Sequence, residues 1–374
     1  MPATGSILEP NSMNLTRSDR SQGFFFPSEI LDEIVYHILS SNHTFSTIEA
    51  FSRVSFRFRQ IALRSFFAKL DIYSKAHWIN VCGITGVYSW TRELSSLSTS
   101  LSSAPGNLLS FQDIRTIELD FSNEGLNTQH NRATQIFLGR PSSCSTLGQQ
   151  ISTRISLTTL RLSYLPRIDT ALLALISGNF PALKILALTC SERLLDDCCW
   201  DCYEEASSCT THSPIPDMYC NAEDLSVAFG SALSPLRNLQ SLHLGIYLSE
   251  MEIFYYHIYH SDLNSSLRPT NHSTTIFNLK ATSSSSNSNS NPPWSLVPYG
   301  PNMCSHCDYL YSEDVRKTEL YASASIARFL PALKEITWSS FFAQDNPGDD
   351  PDEGSTMVWI RRKEGKIRVR RAPW

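Results

Sequence analysis

Apolar residues near the N-terminus recur at helical spacing. They form a broad face for one helix, preceded by the helix-start signal of Pro27 and Ser28. Glu29, Asp32 and Glu33 place negative charge near the positive end of the helix dipole. The apolar positions of this first helix are Ile30, Leu31, Ile34, Val35, Ile38 and Leu39.

A second apolar pattern follows after a polar turn. Ser46 and Glu49 have the spacing of a capping box, so a second helix is expected to start there. The segment holds more phenylalanines than a short bundle can bury, which predicts that some apolar surface awaits a partner. Its apolar positions are Ile48, Phe51, Val54, Phe58 and Ile61, followed by Phe66, Phe67 and Leu70.

The rest of the chain carries a recurring pattern of the form apolar-x-x-apolar-x-apolar. Its alternating last two positions indicate a short strand with one buried face. Helical patterns at 170–179, 222–233 and 319–330 precede three of the five copies. The copies are Ile114, Ile117, Leu119; Leu157, Leu160, Leu162; Leu183, Leu186, Leu188; Leu239, Leu242, Leu244; and Leu333, Ile336, Trp338.

A unit of helix, tight turn and strand cannot bury its own apolar face. Such units must stack on their neighbours, which predicts parallel strands with helices on one side. The fold class predicted from the sequence is therefore α/β, with a small all-α module before it.

The N-terminal helical segment resembles an F-box. The resemblance rests on the Pro-Ser-Glu-Ile opening at 27–30, the apolar helix, the polar turn and the Arg-rich stretch SRVSFRFRQIALRSFF. The family usually opens with Leu-Pro, whereas this chain has Phe26-Pro27. The alternative is a helical hairpin that packs within its own domain.

The F-box resemblance implies docking to the adaptor protein of a cullin-based SCF ubiquitin ligase. By the logic of the family, some of the residues concerned pack internally, and the sequence does not divide the two groups. The adaptor-binding residues that it implies are Pro27, Ile30, Leu31, Ile34, Val54, Phe58 and Ile61.

The repeated strand pattern is similar to a degenerate leucine-rich repeat. Only the interval from Leu157 to Leu183 fits the usual repeat length of about 20 to 29 residues, so the other intervals need insertions. The Asn or Cys that normally follows the last leucine is replaced by Leu165, Ser191 and Tyr247 in three copies. An ordinary α/β domain with parallel strands remains the alternative.

These patterns divide the chain into domains. The expected order is a disordered tail at 1–22, the F-box at 23–72, a Ser-rich linker at 73–112 and the irregular leucine-rich-repeat-like α/β domain at 113–374. Within the last domain, a Cys-rich insertion is expected at 190–221 and a low-complexity loop at 262–303.

Two CxxC pairs are the main candidates for special chemistry. Cys199 and Cys202 form one pair, and Cys304 and Cys307 form the other. Their spacing suits a structural zinc ion, although the two pairs lie much farther apart than in compact zinc ribbons. The alternative is that these cysteines are small buried apolar residues, in which case no cofactor is needed.

Basic residues are concentrated at the C-terminus. The segments VWIRR and KIRVRR flank Lys363, Glu364 and Gly365, which predicts a hairpin. Alternation of Ile360, Ile367 and Val369 with the charges favours an edge strand over a nucleic-acid site.

Composition and motifs narrow the function class. The net charge of -5 indicates neither a nucleic acid nor a membrane as the main partner. No nucleophile elbow, phosphate loop or dinucleotide fingerprint occurs, so an enzyme is not expected. No apolar run is long enough to span a bilayer, which suggests a cytoplasmic or nuclear protein.

The sequence therefore predicts an F-box substrate receptor whose repeat domain binds a protein target. The identity of that target is not encoded in any motif. The alternative is a ligase-independent scaffold or a zinc-stabilised interaction module.

Overall fold

A computed structural model describes most of the chain in two compact units. The described residues are 26–101, 108–138, 157–190, 221–248, 305–340, 342–343, 347–350 and 354–374. The boundary between the units falls between Ser65 and Phe66. The predicted tail at 1–22, nearly all of the Cys-rich insertion and the whole of the low-complexity loop lie outside these residues.

The first unit consists of the helices α1 (Ser28–Ser41), α2 (Phe45–Ser52) and α3 (Phe56–Phe66, which extends one residue past the boundary). Helix α1 starts where the sequence predicts, directly after Pro27. One stripe of α1, formed by residues four positions apart, faces the interior. The interior of this unit contains Leu31, Val35, Leu39, Ile48, Ile61 and Ala62.

The predicted capping box at the start of α2 does not form. The helix begins at Phe45 with Thr44 as its N-cap, so Ser46 already lies inside the first turn. The Ser46 hydroxyl lies 3.0 Å from that of Thr44, and Glu49 pairs with Arg53 one turn later. The N-cap therefore lies two residues earlier than the capping box predicts, and the reciprocal cap is not made.

The second unit is a mixed α/β domain with a mostly parallel sheet of ten strands among the described residues. Its strands are β1 (Lys69–Ile72), β2 (Glu93–Leu97), β3 (Thr116–Asp120), β4 (Thr159–Leu165), β5 (Ile185–Cys190), β6 (Ser241–Tyr247), β7 (Glu335–Ser339), β8 (Asp349–Asp350), β9 (Ser355–Lys363) and β10 (Lys366–Arg370). Its helices are α4 (Lys75–Cys82), α5 (Val87–Trp90), α6 (Ser98–Leu101), α7 (Leu126–Leu138), α8 (Thr170–Asn179), α9 (Ala222–Leu233) and α10 (Ser305–Phe329), with a short 3-10 helix at Leu108–Ser110.

The strands β1 to β7 are all parallel and follow one another in the sheet in chain order. Their register aligns the fourth and sixth positions of the repeated pattern. The first row joins Leu70, Leu94, Ile117, Leu160, Leu186, Leu242 and Ile336. The second row joins Ile72, Ser96, Leu119, Leu162, Leu188, Leu244 and Trp338.

All five predicted copies of the repeated pattern are buried strand units. Two further copies precede them, at β1 and β2. Phe67, Leu70 and Ile72 form the copy at β1, and this copy falls inside the segment that the sequence assigns to the F-box. The copy at β2 is not recognisable in the sequence, because Thr91 and Ser96 occupy two of its three apolar positions.

The two hydroxyls of this copy fit the interior because each has an acceptor within the protein. Thr91 Oγ1 donates to the carbonyl of Val87 at 2.9 Å, and Ser96 Oγ donates to the carbonyl of Leu97 at 3.0 Å. Buried polar groups with such partners carry little penalty. The predicted linker at 73–112 is therefore wrong for its greater part, since it contains α4, α5, β2 and α6.

Turns before successive strands share one hydrogen-bonding device. The carbonyl of Arg115, just before β3, accepts the N–H groups of both Thr158 and Thr159 at 2.9 Å. The same double acceptance recurs at each step of the parallel sheet and fixes the start of the next strand. The accepting carbonyls belong to Ala68, Arg92, Arg115, Thr158, Lys184 and Gln240.

The helices of the second unit form a single layer. Contacts run from α4 to α6, then to α7, α8, α9 and α10, in the same order as the strands. The predicted helices at 170–179 and 222–233 match α8 and α9, and the third begins earlier than predicted. Among the described residues of this unit, the opposite face of the sheet has no helix packed on it. We refer to it as the open face.

The sheet ends in the predicted C-terminal hairpin. Strand β9 pairs antiparallel with β7, and β10 pairs antiparallel with β9. A two-residue turn joins them, with φ values of 57° at Glu364 and 74° at Gly365. This turn type requires left-handed backbone at both positions, which glycine adopts easily and glutamate does not.

We expect Glu364→Asn to stabilise the protein. Asparagine tolerates left-handed backbone better than glutamate, and the gain in free energy of unfolding is about 0.5 to 1 kcal/mol. Thermal and chemical denaturation measure it. The control is Glu364→Ala, which also removes the side-chain contact with Lys363 but keeps the backbone strain. Equal stability of the two variants would contradict this explanation.

Candidate functional site

The seven predicted adaptor-binding residues lie in the first unit and fall into three groups by their solvent exposure. Leu31 is 2% exposed and Ile61 is 6% exposed, so both belong to the interior and serve the fold. Phe58 is half-buried and packs against Phe51, with ring centroids 4.6 Å apart. The remaining four side chains lie at the surface: Pro27, Ile30, Ile34 and Val54.

Helix α1 and the residues just before it carry a second apolar stripe beside the buried one. Ile30 and Ile34 are 48% and 41% exposed, and Phe26 precedes them at the same spacing of four residues. Since each residue turns the helix by about 100°, this stripe lies next to the Leu31 stripe. Apolar side chains this exposed do not contribute to the interior of the unit. They are suited to a contact with another molecule.

More apolar side chains are exposed on the other two helices of the first unit. Phe45 starts α2, Val54 lies in the turn after it, and Phe56 opens α3 with 78% of its side chain exposed. Aromatic side chains are enriched at the centres of protein interfaces and rare on surfaces that stay wet. The expectation that this short bundle cannot bury all of its phenylalanines is therefore confirmed, since Phe45 and Phe56 are exposed.

An ion pair holds α1 and α3 together. Arg64 Nη2 donates to both carboxylate oxygens of Asp32, at 2.7 and 2.6 Å. Both side chains are partly exposed, so the pair contributes about 0 to 1 kcal/mol and mainly sets orientation. It keeps the exposed stripe of α1 in a fixed position relative to the arginine-rich helix α3.

The open face of the sheet is polar at its centre. One register row places Glu118, Arg161, Ala187, His243 and Thr337 side by side. Arg161 Nε lies 3.5 Å from Glu118 Oε1. Burial lowers the pKa of His243, and the positive charge of Arg161 lowers it further. This face can therefore contact a partner through side chains of both charges.

Tyr164 lies near the carboxyl end of β4. The register of β4 and β5 shifts between Leu162 and Leu165, and Tyr164 adopts a left-handed φ of 55°. A bulge of this kind redirects side chains and is common near binding sites. Tyr164 is half exposed, and no sequence pattern pointed to it.

The four predicted zinc ligands are not brought together by the described structure. Cys199, Cys202 and Cys304 lie outside the described residues. Cys307 is buried near the start of α10, where it packs with Tyr311, Val315 and Phe342. Among the described residues, no group of three or more His, Cys, Asp or Glu side chains is arranged to hold a metal ion.

Glu319 on α10 is a buried carboxyl group with a raised pKa. Thr356 Oγ1 donates to its Oε2 at 2.9 Å, and Arg371 Nη1 lies 3.7 Å from the same oxygen. Arg371 also pairs with Asp349. Burial raises the pKa of Glu319, while Arg371 and the hydrogen bonds oppose the rise. Because its side chain is fully enclosed, we interpret this cluster as structural.

No family model matches the chain, and no curated protein matches it either. None of the described helices is both long and apolar enough to cross a membrane.

We expect stability to fall as the pH rises through the raised pKa of Glu319. The folded protein holds this proton more tightly than the unfolded chain, whose carboxyl has a pKa near 4.5. Its stabilising contribution is therefore fully present below pH 4.5 and is lost at higher pH. Urea denaturation at a series of pH values measures the effect.

Glu319→Gln removes the titrating group and keeps an acceptor for Thr356. The variant should gain stability relative to the parent protein as the pH increases from about 5 to about 8. Glu313→Gln, at an exposed site on the same helix, controls for the loss of one carboxylate. A stability difference that is independent of pH for Glu319→Gln would contradict the assignment.

Proposed function

We propose that the protein is an F-box substrate receptor of a cullin-based SCF ubiquitin ligase. In this proposal the helical unit binds the adaptor protein, and the sheet unit binds a protein target. The protein carries out no chemistry itself and acts in the cytoplasm or nucleus, where such ligases work.

The observation that carries the proposal is the exposed apolar stripe of α1. Ile30 and Ile34 lie within the segment whose sequence resembles an F-box, and the exposed Val54 lies in that segment too. A helical unit that served only its own domain would bury these side chains, since each buried isoleucine or valine stabilises by about 1.5 to 3 kcal/mol. Their exposure fits a docking surface.

The strand order supports a leucine-rich-repeat-like interpretation of the sheet unit. Seven parallel strands in chain order with one helix layer are typical of stacked repeats, which bind partners through extended surfaces. The open face is the matching candidate for target binding. Its paired charges at Glu118 and Arg161 suit a protein partner better than a membrane or a nucleic acid.

The alternative is a scaffold that works without a ligase, with or without a structural zinc ion. A scaffold of this kind would also bind its partner through the open face, but the exposed stripe of α1 would have no role in it. Adaptor binding therefore separates the two proposals.

We expect the double variant Ile30→Glu with Ile34→Glu to lose adaptor capture by about tenfold or more, because two charges replace apolar contacts at the centre of the interface. Co-purification and titration with the adaptor measure the loss. The matched control is Ile79→Glu with Val227→Glu, two exposed apolar residues of the sheet unit.

Leu31→Ala gives a second control with a different expected result. It should destabilise the helical unit by about 2 to 5 kcal/mol, because it opens a cavity in the interior. Adaptor capture that is unchanged in the folded Ile30→Glu, Ile34→Glu variant would refute the docking surface. So would equal losses in that variant and in the sheet-unit control.

A further inference from the structure

The C-terminal hairpin places a set of cations on the open face. Glu335 and Thr337 of the open face are paired with Trp359 and Met357 of β9, so alternate residues of β9 continue that face. Strand β10 extends the same face through the partners of these residues. The hairpin side chains on the open face are Trp359, Arg361, Lys363, Lys366, Arg368 and Arg370.

These cations are paired with one another across the hairpin. Arg361 lies directly opposite Arg368, and Lys363 lies opposite Lys366. Like charges in directly opposite positions destabilise a hairpin. Lys363 has a contact with Glu364 at 3.6 Å. Within the described part of the chain, no carboxylate lies within ion-pair distance of Arg361, Lys366 or Arg368.

Trp374 holds two of the guanidinium groups in place. Its ring lies 4.2 Å from the guanidinium of Arg370 and 5.5 Å from that of Arg361, measured from the ring centroid. Stacking on a ring leaves the N–H donors of arginine free in the plane of the group. The patch therefore offers fixed donors to a negative ligand.

The hairpin does not need these cations for its own attachment. Its inner side is anchored by Arg362, which donates to the carbonyls of Ala327, Leu330 and Leu333 at 2.6 to 2.8 Å. Ile360 is buried on that side. Charges that protect a sheet edge from aggregation belong on the edge strand, yet Arg361 and Lys363 lie on β9, one strand inward.

Strand β10 also has an open backbone edge. It is the last strand of the sheet, and among the described strands none pairs with its outer side. In a hairpin with a two-residue turn, the pair that flanks the turn exchanges hydrogen bonds. Ile367 and Val369 therefore direct their N–H and C=O groups outward, where an extended peptide can bind as a further strand.

We propose that an acidic peptide with carboxylates at alternate positions binds the β10 edge as an added strand. Alternate side chains of that strand face the same side as Lys366, Arg368 and Arg370, so the carboxylates meet the cations while the backbone pairs with Ile367 and Val369. The inference deepens the proposed function, since it names the class of segment that the target presents.

Two labelled peptides of identical composition test the geometry. One alternates Glu with Val or Thr, and the other has its Glu residues in one block. Fluorescence anisotropy with the full chain and no adaptor gives both affinities. We expect the alternating peptide to bind about tenfold more tightly, because only it places each carboxylate beside a cation. Equal affinities would overturn the proposal.

Variants of the hairpin test the contacts. Arg361→Glu with Arg368→Glu should weaken the alternating peptide by about tenfold or more, whereas Arg237→Glu with Lys75→Glu makes the same charge change at exposed sites elsewhere. Ile367→Pro keeps every cation but removes one outward N–H, and it should also weaken binding. Equal losses in the hairpin and control charge variants would contradict the site.

A short DNA duplex separates a peptide site from a general anion site. The proposal expects the duplex to bind more weakly than the alternating peptide at physiological salt. If DNA bound more tightly than the peptide, with an affinity that falls steeply with salt, the site would be a nucleic-acid site and the inference would be overturned. Because adaptor is absent from these measurements, they can fail while adaptor capture through α1 succeeds, and the reverse also holds.

Discussion

The second unit depends on the burial of two aligned apolar rows between the parallel sheet and its helix layer. Each strand contributes one side chain to the Ile117 row and one to the Leu119 row. No strand can bury both side chains alone, so each unit is stable only against its neighbours. This constraint explains why strands follow one another in chain order, and why the helices are restricted to one side.

The same constraint leaves the other side of the sheet free for recognition. Alternation in a strand sends every second side chain to the open face, where the sequence is under no packing demand. At the N-terminal strands this face carries acids such as Asp71 and Glu118, while the C-terminal hairpin carries cations. The open face therefore carries mixed charges around Glu118 and Arg161 and a run of cations at the hairpin.

Much of the second unit could be predicted from the sequence, because the dominant interaction is apolar and periodic. The five copies with Leu or Ile are visible as a pattern, and each became a strand unit. The copy at β2 was not visible, since Thr91 and Ser96 replace apolar residues and are tolerated only through hydrogen bonds that depend on the folded backbone. Composition alone therefore placed this strand in a linker.

The candidate docking surface of the first unit was predicted less completely. The sequence identifies an apolar helix, but the neighbouring stripes of Ile30 and Leu31 differ by only one position, so helical periodicity does not say which faces inward. The fold resolves this: Leu31, Val35 and Leu39 pack inside, and Ile30 and Ile34 remain exposed. The capping box failed for a similar reason, because Phe45 extends the helix beyond the local polar signal.

Hydrogen exchange of the full chain with and without saturating adaptor tests the central claim most directly. The account predicts slower exchange in α1 and in the turn between α2 and α3 when the adaptor is bound, with the sheet unit unchanged, because the exposed apolar stripe becomes buried in the complex. Unchanged exchange in α1 would contradict the account, and so would protection confined to residues 66–374.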